Sequence, residues 1–140
     1  MIKNFLILFF LFLPANMGIA ASSPCLKYEP EIIELRGKSK RVTFPGPPNY
    51  ESVKEGDEPE TYWLLYLPTP ICVQGNPKDD LNSEDENNVK ELQLMIRDYK
   101  KYSHLLGKSV LVKGKLMHSF SGHHNTPVLV QVQSLTEAPK

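Results

Sequence analysis

Three of the four histidines in this chain, His118, His123 and His124, fall within seven residues. Imidazole is a common ligand for borderline metal ions, and zinc or copper accepts three of them. Adjacent side chains of an extended chain point opposite ways, so His123 and His124 face one ion only if the backbone turns, which Gly122 would allow. Two metal-free alternatives stand beside this. His123, His124 and Asn125 meet a ligand directly as a binding loop, or the rings bond to the backbone while Thr126 and Pro127 shape the turn. His104 stands alone, where a protonated ring would suit the end of the helix expected below.

A second set brackets Pro45-Gly46-Pro47-Pro48-Asn49: Phe44 before it, Tyr50 and Glu51 after it. Aromatic side chains on a stiff proline-rich loop are recognition anchors. The competing reading has Phe44 and Tyr50 plugging the end of a barrel. Asp57, Glu58 and Glu60 read as a solvated turn. Gly-x-Ser-x-Gly, His-Glu-x-x-His and phosphate-cradling glycine loops are all missing from the sequence. The expectation is therefore a protein that is not an enzyme, with a hydrolase pairing Glu51 or Asp57 with a loop histidine as the formal alternative. No cofactor is expected beyond a zinc or copper ion on the histidines.

The chain opens with Lys3 and an unbroken apolar run from Phe5 to Leu13, then Gly18 and Ala20 at the small-residue positions before a cut. That is the three-part pattern of a secretory signal over residues 1–21, and Pro14 and Asn16 stop the run short of a membrane span. Residues 22–140 then form one domain, periplasmic or secreted, with no membrane span in the mature protein. Ser22-Ser23-Pro24 before Cys25 lacks the lead that lipid attachment resembles. The chain has 16 basic and 16 acidic residues, so losing Lys3 leaves 15 against 16. Such a balance argues against a nucleic-acid partner. The only two cysteines, Cys25 and Cys72, are most simply a disulfide in an oxidising compartment. Two reduced thiols with redox work are the alternative, and no Cys-x-x-Cys spacing supports them.

The elements that must position these groups read mainly as β with one helix. Alternation of Ile33, Leu35 and Gly37 marks a long strand over 31–44, bent at Gly37. Strands follow over 61–67 and 71–75. A helix spans about 83–106, from a Ser83/Glu86 capping box to Gly107, with a stripe of Val89, Leu92, Met95 or Ile96, Tyr99 and Tyr102. Strands over 109–118 and 128–133 finish the domain. A bent first strand and a helix between the third and fourth strands match the five-stranded OB-like barrel, with an open α+β sheet as the alternative. In an OB barrel the loop after strand one and the loop between strands four and five border one binding face. The proline-rich loop and the histidine loop would then meet.

The stretch Leu106-Gly107-Lys108-Ser109-Val110-Leu111-Val112-Lys113-Gly114-Lys115-Leu116, followed by Gly122-His123-His124-Asn125-Thr126-Pro127-Val128-Leu129-Val130, resembles the bacterial family named domain of unknown function 4431. Pro24 to Pro30 and Phe44 to Glu51 are also similar to segments of exported relatives. The resemblance implies a small bacterial envelope protein and carries no activity. The leading expectation is a non-enzymatic envelope binding module that uses the loops around Tyr50 and His123. Its partner would be an envelope protein, a peptide or an oligosaccharide. The alternatives are a metal-binding periplasmic protein using the His118/His123/His124 loop, and an inhibitor or immunity protein that blocks a partner enzyme.

Overall fold

The computed structural model describes residues 24–139. The expected export signal over residues 1–21 lies outside them. Strand β1 is Leu26–Lys27, β2 Ile33–Pro45, β3 Pro59–Gln74, β4 Glu86–Met95, β5 Ser109–His118 and β6 Val128–Glu137. Pairing runs β3–β2–β5–β6–β4, and β4 pairs back onto β3. The result is a closed five-stranded barrel, with β1 attached to β3 outside the ring. The sheet is mixed: β4 and β6 run parallel, while the other four pairings in the ring are antiparallel. Ring closure excludes the open α+β sheet.

β2 makes the corner. Its first half, Ile33 to Lys38, pairs with β5, and its second half, Lys38 to Pro45, pairs with β3. The bend falls at Gly37, where a Cβ would lie 2.5 Å from the Tyr66 carbonyl oxygen, so only glycine lets β3 approach this closely. Ile33, Leu35, Gly37 and Ser39 all point inward, as the alternation predicts. Ile33 and Leu35 meet Trp63, Leu65, Leu92, Leu94, Val110, Val112, Leu116 and Val130 in one core.

The expected helix over 83–106 does not form. Among the described residues the helical pieces are 3-10 turns at Val53–Glu55 and Ser103–Leu105. Residues 86–95 instead supply the barrel strand that closes the ring. Leu92, Leu94 and Ile96 are buried at period two. The apparent helical step from Val89 to Leu92 arises at a register break between Tyr66 and Ile71 on β3. Two strands expected over 61–67 and 71–75 are therefore one continuous strand. Its Pro68 and Pro70 sit within that break, where no ladder bond is needed from them. The chain from Ile96 to Lys108 crosses between strands that are not neighbours. It drops Leu105 into the core and packs Tyr99 and Tyr102 against it. His104 lies exposed in the second 3-10 turn, not at a helix end.

Cys25 and Cys72 are bonded, 47 residues apart in sequence. With β1 running alongside Val73 and Gln74, the bridge ties the leading segment to the end of β3. Closing a loop of that length is worth about 4 kcal/mol on the chain-entropy account. Among the described residues no helix is long and apolar enough to cross a membrane.

Candidate functional site

The loop between β2 and β3, residues 46–58, is organised by one buried carboxylate. Asp57 Oδ1 accepts from the Asn49 backbone N–H (2.9 Å) and side-chain amide (3.2 Å), and Oδ2 accepts from Glu51 N–H and Ser52 N–H, both 2.8 Å. The Ser52, Glu51 and Asn49 backbone donors hold its carboxyl below the ordinary value of 3.8. Asp57 is thus not the solvated turn residue its neighbourhood suggested, and both its oxygens are committed. Within this clamp Tyr50 adopts φ +60°, a left-handed conformation that costs an aromatic residue about 1–2 kcal/mol. Such strain persists only where the surroundings over-determine it, and here it fixes where the Tyr50 ring stands.

The loop between β5 and β6, residues 119–127, folds back over the outside of the barrel. Leu64, Gln93 and Leu129 form one cross-strand row. They point away from the core yet are fully buried, and Gln93 fastens the loop above them. Gln93 Oε1 accepts from the Asn125 N–H at 2.7 Å, and its Nε2 donates to the His123 carbonyl at 3.0 Å. Thr126 Oγ1 accepts the Gln93 backbone N–H at 2.8 Å and donates to the Val128 carbonyl at 2.7 Å. The Asn125 and Thr126 side chains therefore build the loop more than they present a surface.

The two loops meet. The Tyr50 and His123 rings stand edge to face, 5.7 Å apart. A Cβ on Gly122 would lie 3.0 Å from the Tyr50 ring, so glycine at 122 is where the ring seats. Below them, His123 Nδ1–H donates to Glu60 Oε2 at 2.9 Å, and the Tyr62 hydroxyl donates to the same oxygen at 2.9 Å. These contacts, led by the bond from His123, hold the Glu60 carboxyl below its usual value. Tyr62 is pushed up to about 12, by burial first and then by its bond to Glu60. On the same loop as His123, Phe120 is 60% exposed, its ring 4.6 Å from the His124 ring. The His124 Nδ1 accepts the Phe120 backbone N–H at 3.1 Å. Burial first, then the charge of His123, holds His124 below the usual histidine range.

Of the sequence candidates, Tyr50 and His123 come into contact, with His124 and Asn125 on the same loop. Phe44 is half-buried on β2 opposite Glu60. Glu51 contributes its backbone to the clamp and leaves its side chain exposed. The three-histidine set does not assemble. His118 turns to Glu86, His123 to Glu60, and His124 takes a backbone N–H. Among the described residues the one group of three convergent ligand atoms is Glu84, Glu86 and His118. Sequence reasoning read Asp57 and Glu60 as a solvated turn, with Asp57 also in the hydrolase alternative, and did not single out Tyr62 or Gln93. The sign for Gln93 was a lone polar residue between Leu92 and Leu94, which a strand turns outward and a helix does not distinguish. A groove of about 770 Å³ lies one outward row along from the docked loop, with Met95, Gln131 and Lys115 across its floor.

Barrel and surface together define a small five-stranded β-barrel that carries two interlocked loops on its outer face. Residues 91–136 match the family model described as Domain of unknown function (DUF4431), so the chain is similar to that family over this stretch. The matched stretch holds Gln93 and the whole of the loop it fastens. No curated protein and no solved structure matches the chain.

Proposed function

We propose that the protein is a non-enzymatic binding module of the bacterial envelope, periplasmic or secreted, which recognises a peptide or oligosaccharide through the joined surface of Tyr50, Phe120 and His123. The observation that carries this reading is the contact of Tyr50 with His123 over the shared Glu60 carboxylate. Two loops 73 residues apart at these positions are locked into one surface before any ligand arrives, and preorganisation of that kind lowers the ordering cost of binding. Exposed aromatics set among hydrogen-bonding groups suit a ligand with apolar faces and polar edges. We read the barrel as OB-like. Its bent first strand and the parallel closure of β4 on β6 support this, and so do loops that fold onto the β3–β4 face, where OB barrels bind extended ligands. The disulfide and the secretory pattern of residues 1–21 support the compartment. The non-enzymatic reading rests on Asp57, whose oxygens are fully used, and on Glu60, which His123 and Tyr62 already hold.

Chemical-shift mapping tests the proposal. Isotope-labelled protein is titrated with soluble cell-wall oligosaccharides and with envelope-derived peptides. Shifts centred on residues 50, 60 and 120–124 are expected with one of these classes. Binding that maps to the Met95/Lys115 groove and leaves the loops unmoved would overturn it.

A further inference from the structure

We propose that Glu84, Glu86 and His118 form a site for a single zinc-class divalent ion where β4 begins and β5 ends, beside the buried Tyr28 ring. Three separate segments build it. Glu84 and Glu86 lie at the entry to β4 and, two residues apart in extended chain, share one side. Asp85 between them turns away, its Oδ1 accepting the Gly75 N–H at 2.7 Å. His118 ends β5, and its backbone N–H donates to the buried Asn82 side chain at 2.9 Å. Tyr28 arrives on the leading segment that the disulfide pins, its ring edge-on to His118 at 6.1 Å.

The ring of His118 is oriented as a metal ligand's ring is. Its Nδ1 faces the Ser119 carbonyl at 3.0 Å, an atom that can only accept, so the ring proton sits on Nδ1. A backbone carbonyl in this role is the usual outer support of a ligating histidine. The lone pair of Nε2 then points at Glu86 Oε1, 3.0 Å away, with Glu84 Oε2 at 3.9 Å. Bare lone pairs at that separation repel, so either a second ring proton or a metal ion joins them. One added proton would leave two carboxylates facing a single positive charge. A divalent ion neutralises both.

The spacing also fits. Metal–ligand bonds of about 2.0–2.2 Å place neighbouring ligand atoms of a four-coordinate ion roughly 3.3 Å apart, and the three atoms here lie within 4.8 Å of one another. The imidazole nitrogen favours zinc over calcium or magnesium, which take oxygen ligands. The second, independent sign is Tyr28. It is 3% exposed, and its hydroxyl is the one buried side-chain polar atom without a partner among the described residues. Three protein ligands leave a four-coordinate ion one position for water, and such a water gives that hydroxyl a partner.

The test uses purified protein stripped with a chelator and titrated with zinc alone by calorimetry, with cobalt absorption as a second reading. The expected result is one zinc per chain. Glu84 is 75% exposed in its side chain, so Glu84→Gln should fold as the wild type and weaken zinc binding by at least about tenfold, the scale seen even for outer-shell changes. His118→Gln should abolish it and remove the cobalt band. The double variant His123→Ala/His124→Ala should bind as the wild type does. Failure to bind one equivalent of zinc, or an affinity unchanged in both Glu84→Gln and His118→Gln, would overturn the site. Loss of zinc in the His123/His124 variant with retention in Glu84→Gln would also overturn it, by moving the ion to the loop. Should His118→Gln unfold, Glu84→Gln decides alone.

Discussion

Gln93 gives its entire side-chain amide to a loop about thirty residues away, and that exchange decides what the histidine segment can do. The Asn125 N–H must face an acceptor and the His123 carbonyl must face a donor, so the amide has one satisfactory orientation. Gln93→Ala leaves a part-buried donor, the Asn125 N–H, and a part-buried acceptor, the His123 carbonyl, without their partner, at the low end of the about 1–3 kcal/mol that each unpaired buried group costs. We expect a loss of at least about 2 kcal/mol by chemical denaturation, together with faster amide exchange at Asn125. Wild-type exchange at Asn125 would show that the loop holds without this fastening. Asp57 does the same work for the other loop and adds a pH dependence. Its folded-state value is depressed below 3.8. The stabilisation is therefore fully present above that ordinary value and is lost as pH falls through the lower folded one. The Glu51 and Ser52 amide resonances should hold their positions down to about pH 4 and move only in stronger acid. In Asp57→Asn they should already be displaced at neutral pH. Neither residue was legible as a fastener in the sequence. A glutamine between leucines and an aspartate after Gly56 carry no signature until the chain folds back on them.

At the scale of the element, the strands with clean alternation were readable and the one with mixed signals was not. Ile33-x-Leu35-x-Gly37 and Val110-x-Val112-x-Gly114-x-Leu116 face the core as their period two requires. Residues 83–106 offered a capping box and a three-to-four stripe, and a short apolar run such as Leu92 to Ile96 fits either period. The barrel needs a fifth strand, and that tertiary demand overrides the local helical preference. Asn87 and Asn88, poor helix formers, mark the place, with Asn88 at φ +55°. One pair of substitutions separates the two structures. On the strand, Leu94 is fully buried and Met95 is 38% exposed, whereas the helical stripe takes Met95 or Ile96 inside and leaves Leu94 off it. Leu94→Ala should cost about 2–5 kcal/mol and Met95→Ala less than about 0.5 kcal/mol, read from denaturant midpoints. The reverse order would restore the helix.

The molecule as a whole separates stability from recognition. Ring closure and the Cys25–Cys72 bridge hold the core, and the two long loops are drawn onto one face by side chains from β3 and β4. The convergence of those loops followed from the OB-like reading of the sequence. The Glu60 and Tyr62 groups beneath them did not, because a strand's outward residues gain meaning only from what is laid over them. The central claim is that Tyr50 and His123 act as one surface, and quantitative capture from envelope extract tests it most directly. The baits are the wild type, Tyr50→Ala, His123→Ala and a control, Lys113→Glu, on the exposed side of β5. The account predicts that one ligand retained by the wild type and the control is lost from both loop variants, while all four proteins stay folded by circular dichroism. A ligand captured equally by all four would contradict it.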